Sequence, residues 1–99
     1  MELNTNMKFT VGNMYTVCTQ ELFRRFNGAT KFGLEVRRSV DGDTEYFDAI
    51  NRSGNVVCMD GETVEFEGYE GEALVFKNVY GDEPETFKLT NEEAASVII

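Results

Sequence analysis

The sequence predicts a single domain over residues 1–99, mainly β with minor α: an antiparallel meander or small barrel of about five to seven strands with a short C-terminal helix. Eight phenylalanines and four tyrosines provide enough aromatic surface for one core. A helix-capping motif follows the last predicted strand. Turn-forming residues recur about every ten positions, at Asp41-Gly42, Ser53-Gly54, Asp60-Gly61, Glu70-Gly71 and Tyr80-Gly81-Asp82.

The segments between these turns are rich in Phe, Tyr, Val and Thr, the residues that favour strands. In the second segment, Phe32, Leu34 and Val36 alternate with Glu35 and Arg37, as expected for a strand with one buried face. Glycine at Asp41-Gly42 and at Asp60-Gly61 suits two-residue hairpin turns. The predicted strands are 9–18 (with a possible bulge at Gly12), 30–40, 44–51, 55–59, 62–68, 72–80 and 85–89.

Two short helices are predicted. Thr19 is placed to cap a helix over residues 20–26, which would stop at Asn27-Gly28 because both residues accept left-handed backbone. At the other end, Thr90 and Glu93 form the capping-box pattern, so a helix should begin near Asn91. Its apolar side chains, Ala94, Val97 and Ile98, should cover one end of the sheet.

Composition indicates a cytoplasmic protein. No run approaches the ~18 apolar residues of a membrane span, and residues 1–9 include no apolar stretch typical of a signal peptide. Cys18 and Cys58 lie beside apolar neighbours, so we expect two free, largely buried thiols. One disulfide is the alternative if the chain is exported to an oxidising compartment.

Residue types that carry most enzyme chemistry are missing. The chain has no histidine, the commonest general base and metal ligand, and its two cysteines are too far apart in sequence for a zinc or redox motif. Asp41, Asp43 and Glu45 alternate like the start of a calcium loop, but Tyr46 stands where that loop requires glycine, which favours a polar hairpin turn. We expect no enzyme activity, no metal and no cofactor.

Charge is distributed unevenly along the chain, which has a net charge of −9. Residues 1–40 contain six basic and three acidic residues, whereas residues 41–99 contain fifteen acidic and three basic ones. In the densest stretch, Glu65 and Glu67 alternate with Val64 and Phe66 and should face solvent. Alternate strand positions are ~6.6–6.8 Å apart, about two ~3.4 Å phosphate steps of one DNA strand.

This acidic region predicts contact with a basic protein surface, such as that of a nucleic-acid-binding enzyme. A net negative charge opposes direct binding to nucleic acid, and we expect no membrane partner. Contact with a second copy of the chain, and a purely solubilising role for the glutamates, remain alternatives. The candidate partner-binding residues are Glu62, Glu65, Glu67, Tyr69, Glu70, Glu72, Asp82, Glu83 and Glu85, with Tyr80 as a further aromatic candidate.

Both ends of the chain resemble a population of small phage proteins. The opening Met7–Val17 reads MKFTVGNMYTV and looks like the entry strand of β-rich proteins encoded by phages and mobile elements. The closing Phe87–Ile98 reads FKLTNEEAASVI and is similar to their strand and capped helix. That population includes acidic anti-CRISPR inhibitors, some of which imitate DNA. The resemblance implies an inhibitor, but it matches no motif residue by residue and so implies no site residues.

Two functions remain at this point. The first is a non-enzymatic acidic protein that inhibits or occludes a basic, nucleic-acid-processing partner. The second is a structural or scaffold module of a phage or mobile element. Salt separates them, because charge-driven binding weakens with ionic strength and apolar assembly does not.

Overall fold

The computed structural model describes residues 8–27, 29–79 and 85–98. The prediction of a mainly β chain with a C-terminal helix is confirmed. The elements are β1 (Met14–Thr16), α1 (Thr19–Phe26), β2 (Glu35–Asp41), β3 (Thr44–Ile50), β4 (Val56–Met59), β5 (Thr63–Glu70), β6 (Ala73–Asn78), β7 (Thr86–Leu89) and α2 (Asn91–Val97).

These strands form two antiparallel sheets. One has the order β1-β5-β6-β7 and the other the order β2-β3-β4. A meander and a small barrel were both predicted, and the described residues do not form a closed barrel. The chain passes from the three-stranded to the four-stranded sheet between β4 and β5, at Asp60-Gly61. That pair was predicted to close a hairpin, which is wrong, because the two strands it joins lie in different sheets.

The core is an aromatic cluster on the inner face of the four-stranded sheet. Phe66 and Phe76 lie opposite each other in register, are fully buried, and have ring centroids 5.4 Å apart. Phe9 packs against Phe76 at 5.6 Å, and Phe23 of α1 packs against Phe47 of β3 at 5.5 Å. The second contact connects the helix to the three-stranded sheet.

Two predicted strands are shorter than expected because glycines interrupt them. Gly12 has φ +88° and lies in a turn, so the first strand begins only at Met14. Gly33 has φ +85°, so the alternation seen in 30–34 belongs to a turn and β2 starts at Glu35. An extended strand cannot pass through this backbone conformation.

Both helices are present, but only the second is capped as predicted. Thr90 accepts from the backbone N–H of Glu93, and Glu93 accepts from that of Thr90, which is the predicted capping box. Thr19 does not cap α1: it is the first helical residue, and its hydroxyl donates to the Phe47 carbonyl at 2.6 Å. Instead, Asp60 accepts from the backbone N–H of Gln20 at 3.2 Å. The helix ends at Asn27 in the left-handed conformation, as expected.

Both cysteines are free thiols, as predicted. Cys58 is fully buried, whereas Cys18 is half-buried. Burial raises the pKa of the Cys58 thiol to about 12, with a further contribution from the charges of Glu62 and Asp60. Cys58 is therefore a neutral core side chain at physiological pH.

Candidate functional site

The outer face of the four-stranded sheet carries the predicted acidic residues next to lysines. Glu65 on β5 lies opposite Lys77 on β6 and opposite Met14 on β1. One strand further, Val75 on β6 lies opposite Lys88 on β7. The face is therefore mixed in charge, and Lys77 and Lys88 are in the middle of the glutamates. Sequence reasoning assigned the acids to this face but did not place the lysines beside them.

A β-bulge changes the orientation of the second half of β5. The register shifts between Phe66 and Gly68, and Gly68 has φ +132°, a conformation that glycine adopts easily. After the shift, Tyr69 lies opposite Leu74, on the side of the sheet that carries the core. Its ring contacts that of Phe66 edge-on at 5.2 Å, although 59% of the residue remains exposed. Tyr69 is thus at the rim of the core and not in a row with Glu65.

Three of the candidate glutamates form ion pairs within the chain. Glu67 pairs with Lys77 at 3.5 Å, Glu70 pairs with Lys88 at 2.9 Å, and Glu72 pairs with Lys31 at 3.1 Å. Pairs this exposed contribute at most about 1 kcal/mol each. They nevertheless neutralise the acidic face locally, so a basic partner would have to displace an internal cation to reach these carboxylates.

Glu62 holds a turn together. Its Oε1 accepts from the backbone N–H of Met59 at 2.6 Å and from the side-chain amide of Asn78 at 3.2 Å. That amide also donates to the Val57 carbonyl at 2.7 Å. Glu62 therefore connects the β4–β5 turn to β6, which is a structural role.

The last three candidates lie around the β6–β7 connection. The Asn51 side-chain amide donates to the carboxylate of Glu85 at 3.5 Å. Asp82 and Glu83, like Tyr80, lie outside the described residues. Their predicted role in partner binding stays a prediction.

Unpaired carboxylates are concentrated on a different hairpin. Within residues 8–27, 29–79 and 85–98, six acidic side chains form neither an ion pair nor a hydrogen bond. They are Glu35, Asp41, Asp43, Asp48, Glu65 and Glu92. The first four belong to β2, β3 and the turn between them, so most of the unneutralised acid in the described part of the chain lies on this hairpin.

The outer half of this hairpin, residues 38–46, is exposed on both of its faces, and we name it the β2–β3 arm. β4 pairs with β3 only at Asp48, Ala49 and Ile50, so no third strand reaches the arm. β2 is the outer strand of its sheet. Over four residues a strand extends about 13 Å, which gives the reach of the arm beyond the sheet.

The arm combines charge with apolar surface. Val40 is 57% exposed and Tyr46 is 48% exposed. Arg38 and Glu45 pair across the two strands at 2.5 Å, which leaves Asp41 and Asp43 as the unpaired charges at the tip. The turn residues are Gly42 and Asp43, one position later than predicted, and Gly42 has φ +62°. The hairpin turn preferred over a calcium loop is confirmed.

Basic residues of the N-terminal part are mostly paired as well. Arg24 and Arg25 both contact Glu21 on α1, at 2.6 and 3.0 Å, and the bond from Arg25 holds the pKa of Glu21 below its usual value. Lys31 and Arg38 pair with acids from beyond residue 40. The uneven charge in the sequence is therefore partly cancelled by contacts between the two parts of the chain.

Two open grooves, of about 280 and 400 Å³, are both lined in part by Arg52. Arg52 lies across Gly33, and its side chain occupies the space that a Cβ at residue 33 would need. Phe87 and Leu34 line the first groove and Arg37 lines the second. Within the described ranges, no three acidic or sulfur ligands are grouped for a metal ion.

Comparison with models of protein families, with curated proteins and with solved structures gives no match. In the portion of the chain described above, neither helix has the length and apolar character needed to cross a membrane.

Proposed function

We propose that this chain is a non-enzymatic acidic binding protein that occludes the basic surface of a partner that processes nucleic acid. The observation that carries the proposal is the set of unpaired carboxylates in a chain of net charge −9. Four of them lie on the β2–β3 hairpin, and two of these, Asp41 and Asp43, lie at its exposed tip. Solubility alone requires no such concentration of charge. Unpaired exposed carboxylates steer association with a cationic surface and select against acidic partners.

The resemblance of both chain ends to small phage proteins supports an inhibitor of a host defence enzyme, in the manner of an anti-CRISPR protein. DNA mimicry is the more specific version, and it requires rows of carboxylates that are free to replace phosphates. On β5, Glu67 and Glu70 are paired with lysines, and Glu65 alone has no ion pair among the described residues. Occlusion of a basic surface therefore has more support than imitation of a phosphate row.

A scaffold module is the second candidate, and exposed apolar residues favour it. Val11 is 64% exposed and Met14 is 47% exposed, both at the β1 side of the four-stranded sheet. β1 is an outer strand, where a subunit could add through apolar contact and backbone pairing.

Affinity capture separates the two candidates. The chain is immobilised, exposed to a bacterial lysate in low salt, and eluted with a gradient up to about 1 M salt, where the screening length is about 3 Å. An unrelated acidic domain of equal size and net charge is the control bait. We expect this bait alone to retain basic nucleic-acid-binding proteins, which elute as the salt concentration rises. In a second measurement, adding the chain should release labelled DNA from these proteins.

Two outcomes contradict the proposal. If the same proteins bind the control bait, the charge is generic and no partner is being selected. If the retained proteins resist high salt and are not basic, the scaffold function replaces occlusion.

A further inference from the structure

We propose that the β2–β3 arm is the element that enters the basic cleft of the partner. This inference rests on the proposed function and names the surface that performs it. The acidic face of β5, which the sequence indicated first, is assigned a supporting role.

Accessibility is the first argument. Every residue from 38 to 46 is exposed, so both faces and both edges of the arm are open to a partner. On β5, by contrast, Val64 and Phe66 are fully buried, and the strand lies between β1 and β6. A cleft can close around the arm, whereas β5 can offer only one face.

Chemistry is the second argument, and it selects the occupant. Asp41 and Asp43 are exposed and unpaired, so they can accept hydrogen bonds from arginine or lysine without breaking an internal ion pair or hydrogen bond. Tyr46 and Val40 add apolar surface beside these charges, and a tyrosine ring also attracts a guanidinium group. The arm therefore fits a cleft lined by arginine or lysine with some apolar wall.

A second copy of the chain fits the arm less well. Residues 38–46 include Asp41, Asp43 and Glu45 against the single positive charge of Arg38. Two arms side by side would bring net negative charge to net negative charge, which opposes pairing of their free edges. The charge that discourages self-association is the same charge that attracts a basic protein.

The test uses deca-arginine as a model of a basic surface and the whole chain labelled with ¹⁵N. We expect the largest amide shift changes on titration at residues 38–46. Asp41→Asn with Asp43→Asn should weaken binding about tenfold. The matched control, Glu65→Gln with Glu92→Gln, removes the same charge from two other unpaired acids and should change the dissociation constant less than about twofold.

Either of two results overturns the arm assignment. One is an equal loss of affinity in both double variants, which would mean that total charge decides binding. The other is a maximum of shift changes on β5 at 63–70. Thermal melts verify that both variants are folded, which we expect because neither the Asp41 nor the Asp43 side chain forms an ion pair or a hydrogen bond among the described residues.

Sedimentation of the chain alone tests the second-copy alternative. A monomer supports the assignment, and a dimer that dissociates on Asp41→Asn with Asp43→Asn overturns it. The proposed function is tested separately by the capture experiment. If the Asp41→Asn and Asp43→Asn variant retains a basic partner and the Glu65→Gln and Glu92→Gln variant loses it, the proposed function stands and the assignment of the β2–β3 arm is wrong. If capture yields no basic partner, occlusion itself fails.

Discussion

Two acidic hairpins of this chain look alike in sequence and differ in what they offer to a partner. The β5–β6 hairpin and the β2–β3 hairpin both turn through two residues, of which the first is a glycine with φ +62°. In the first hairpin, Lys77 lies among the glutamates, and Lys88 of the neighbouring β7 lies beside them. The strands of this hairpin are flanked by β1 and β7. In the second, the outer half has no neighbour. The comparison shows that carboxylates are available for binding according to their neighbours, whatever their density in the sequence.

Truncation of one aromatic residue in each hairpin should give the largest difference in unfolding free energy between the two hairpins. Phe66→Ala removes a fully buried ring and should cost about 3–5 kcal/mol of unfolding free energy. Tyr46→Ala should cost less than about 1 kcal/mol, because half of that residue is already in water. Urea unfolding followed by circular dichroism measures both. Equal costs would mean that the β2–β3 arm packs against the rest of the molecule.

Cys58 reports on the buried part of the three-stranded sheet from which the arm extends, since it lies opposite Ala49 on β3. Its folded pKa is raised to about 12 from 9.0, so above pH 9 the unfolded chain loses this proton while the folded chain keeps it. The contribution of the protonated Cys58 thiol to the unfolding free energy is therefore fully present below pH 9. It is lost as pH rises towards 12, and the loss is about 1.4 kcal/mol at pH 10.

The control for this pH dependence is Cys58→Ala, because the variant keeps every other contribution to stability at high pH and removes only that of the thiol. The difference in unfolding free energy between the parent chain and the variant should narrow by that amount from pH 8 to pH 10. A pH-independent difference would mean that the thiol ionises equally in both states, and so that the base of the arm is open to water.

Charge reversal should give the next largest difference in stability between the two hairpins. Glu65→Lys with Glu67→Lys places two lysines beside Lys77, removes its ion pair and should destabilise the fold by about 1 kcal/mol. Asp41→Lys with Asp43→Lys makes the same change in net charge and should stay within about 0.5 kcal/mol of the parent. Thermal melts of the two variants side by side give the answer. A larger loss in the second variant would reverse the comparison.

Single neutralisations on the β5–β6 hairpin should have the smallest effect. Glu70→Gln and Glu72→Gln each remove one exposed ion pair, with Lys88 and Lys31 respectively, and each should cost no more than about 0.5 kcal/mol. Chemical denaturation of the single variants is the measurement. Losses well above this value would show that the pairs are needed for stability and are not merely screening the acidic face.

Much of the local structure could be predicted from the sequence, since it depends on near neighbours. The capping box at Thr90 and Glu93 needs only a hydroxyl and a carboxylate at the right spacing, and it is present. The glycine-containing turn after β2 was placed within one residue. The errors at Gly12 and Gly33 have a common cause: apolar alternation was given more weight than a glycine that adopts positive φ.

The candidate site was only partly predictable, because a side chain's partner is set by distant segments. Glu62 was predicted to meet a partner protein, which stays a prediction, and its internal contacts with Met59 and Asn78 were not foreseen. Sequence reasoning saw Asp41 and Asp43 but treated them as a polar turn. The available signal was that the two predicted strands beside this turn, 30–40 and 44–51, are longer than the next predicted strand, 55–59, so a neighbour of that length would leave part of them uncovered.

By itself, the sequence determined the fold class, the C-terminal helix and the net charge, because each depends on composition or on contacts within a few residues. Tertiary structure alone decided which charges remain free. Strand order placed Lys77 and Lys88 among the glutamates, and the short β4 left residues 38–46 uncovered. Pairing between strands is a long-range choice made by burial of the whole core, and the exposed charges are left wherever that choice places them.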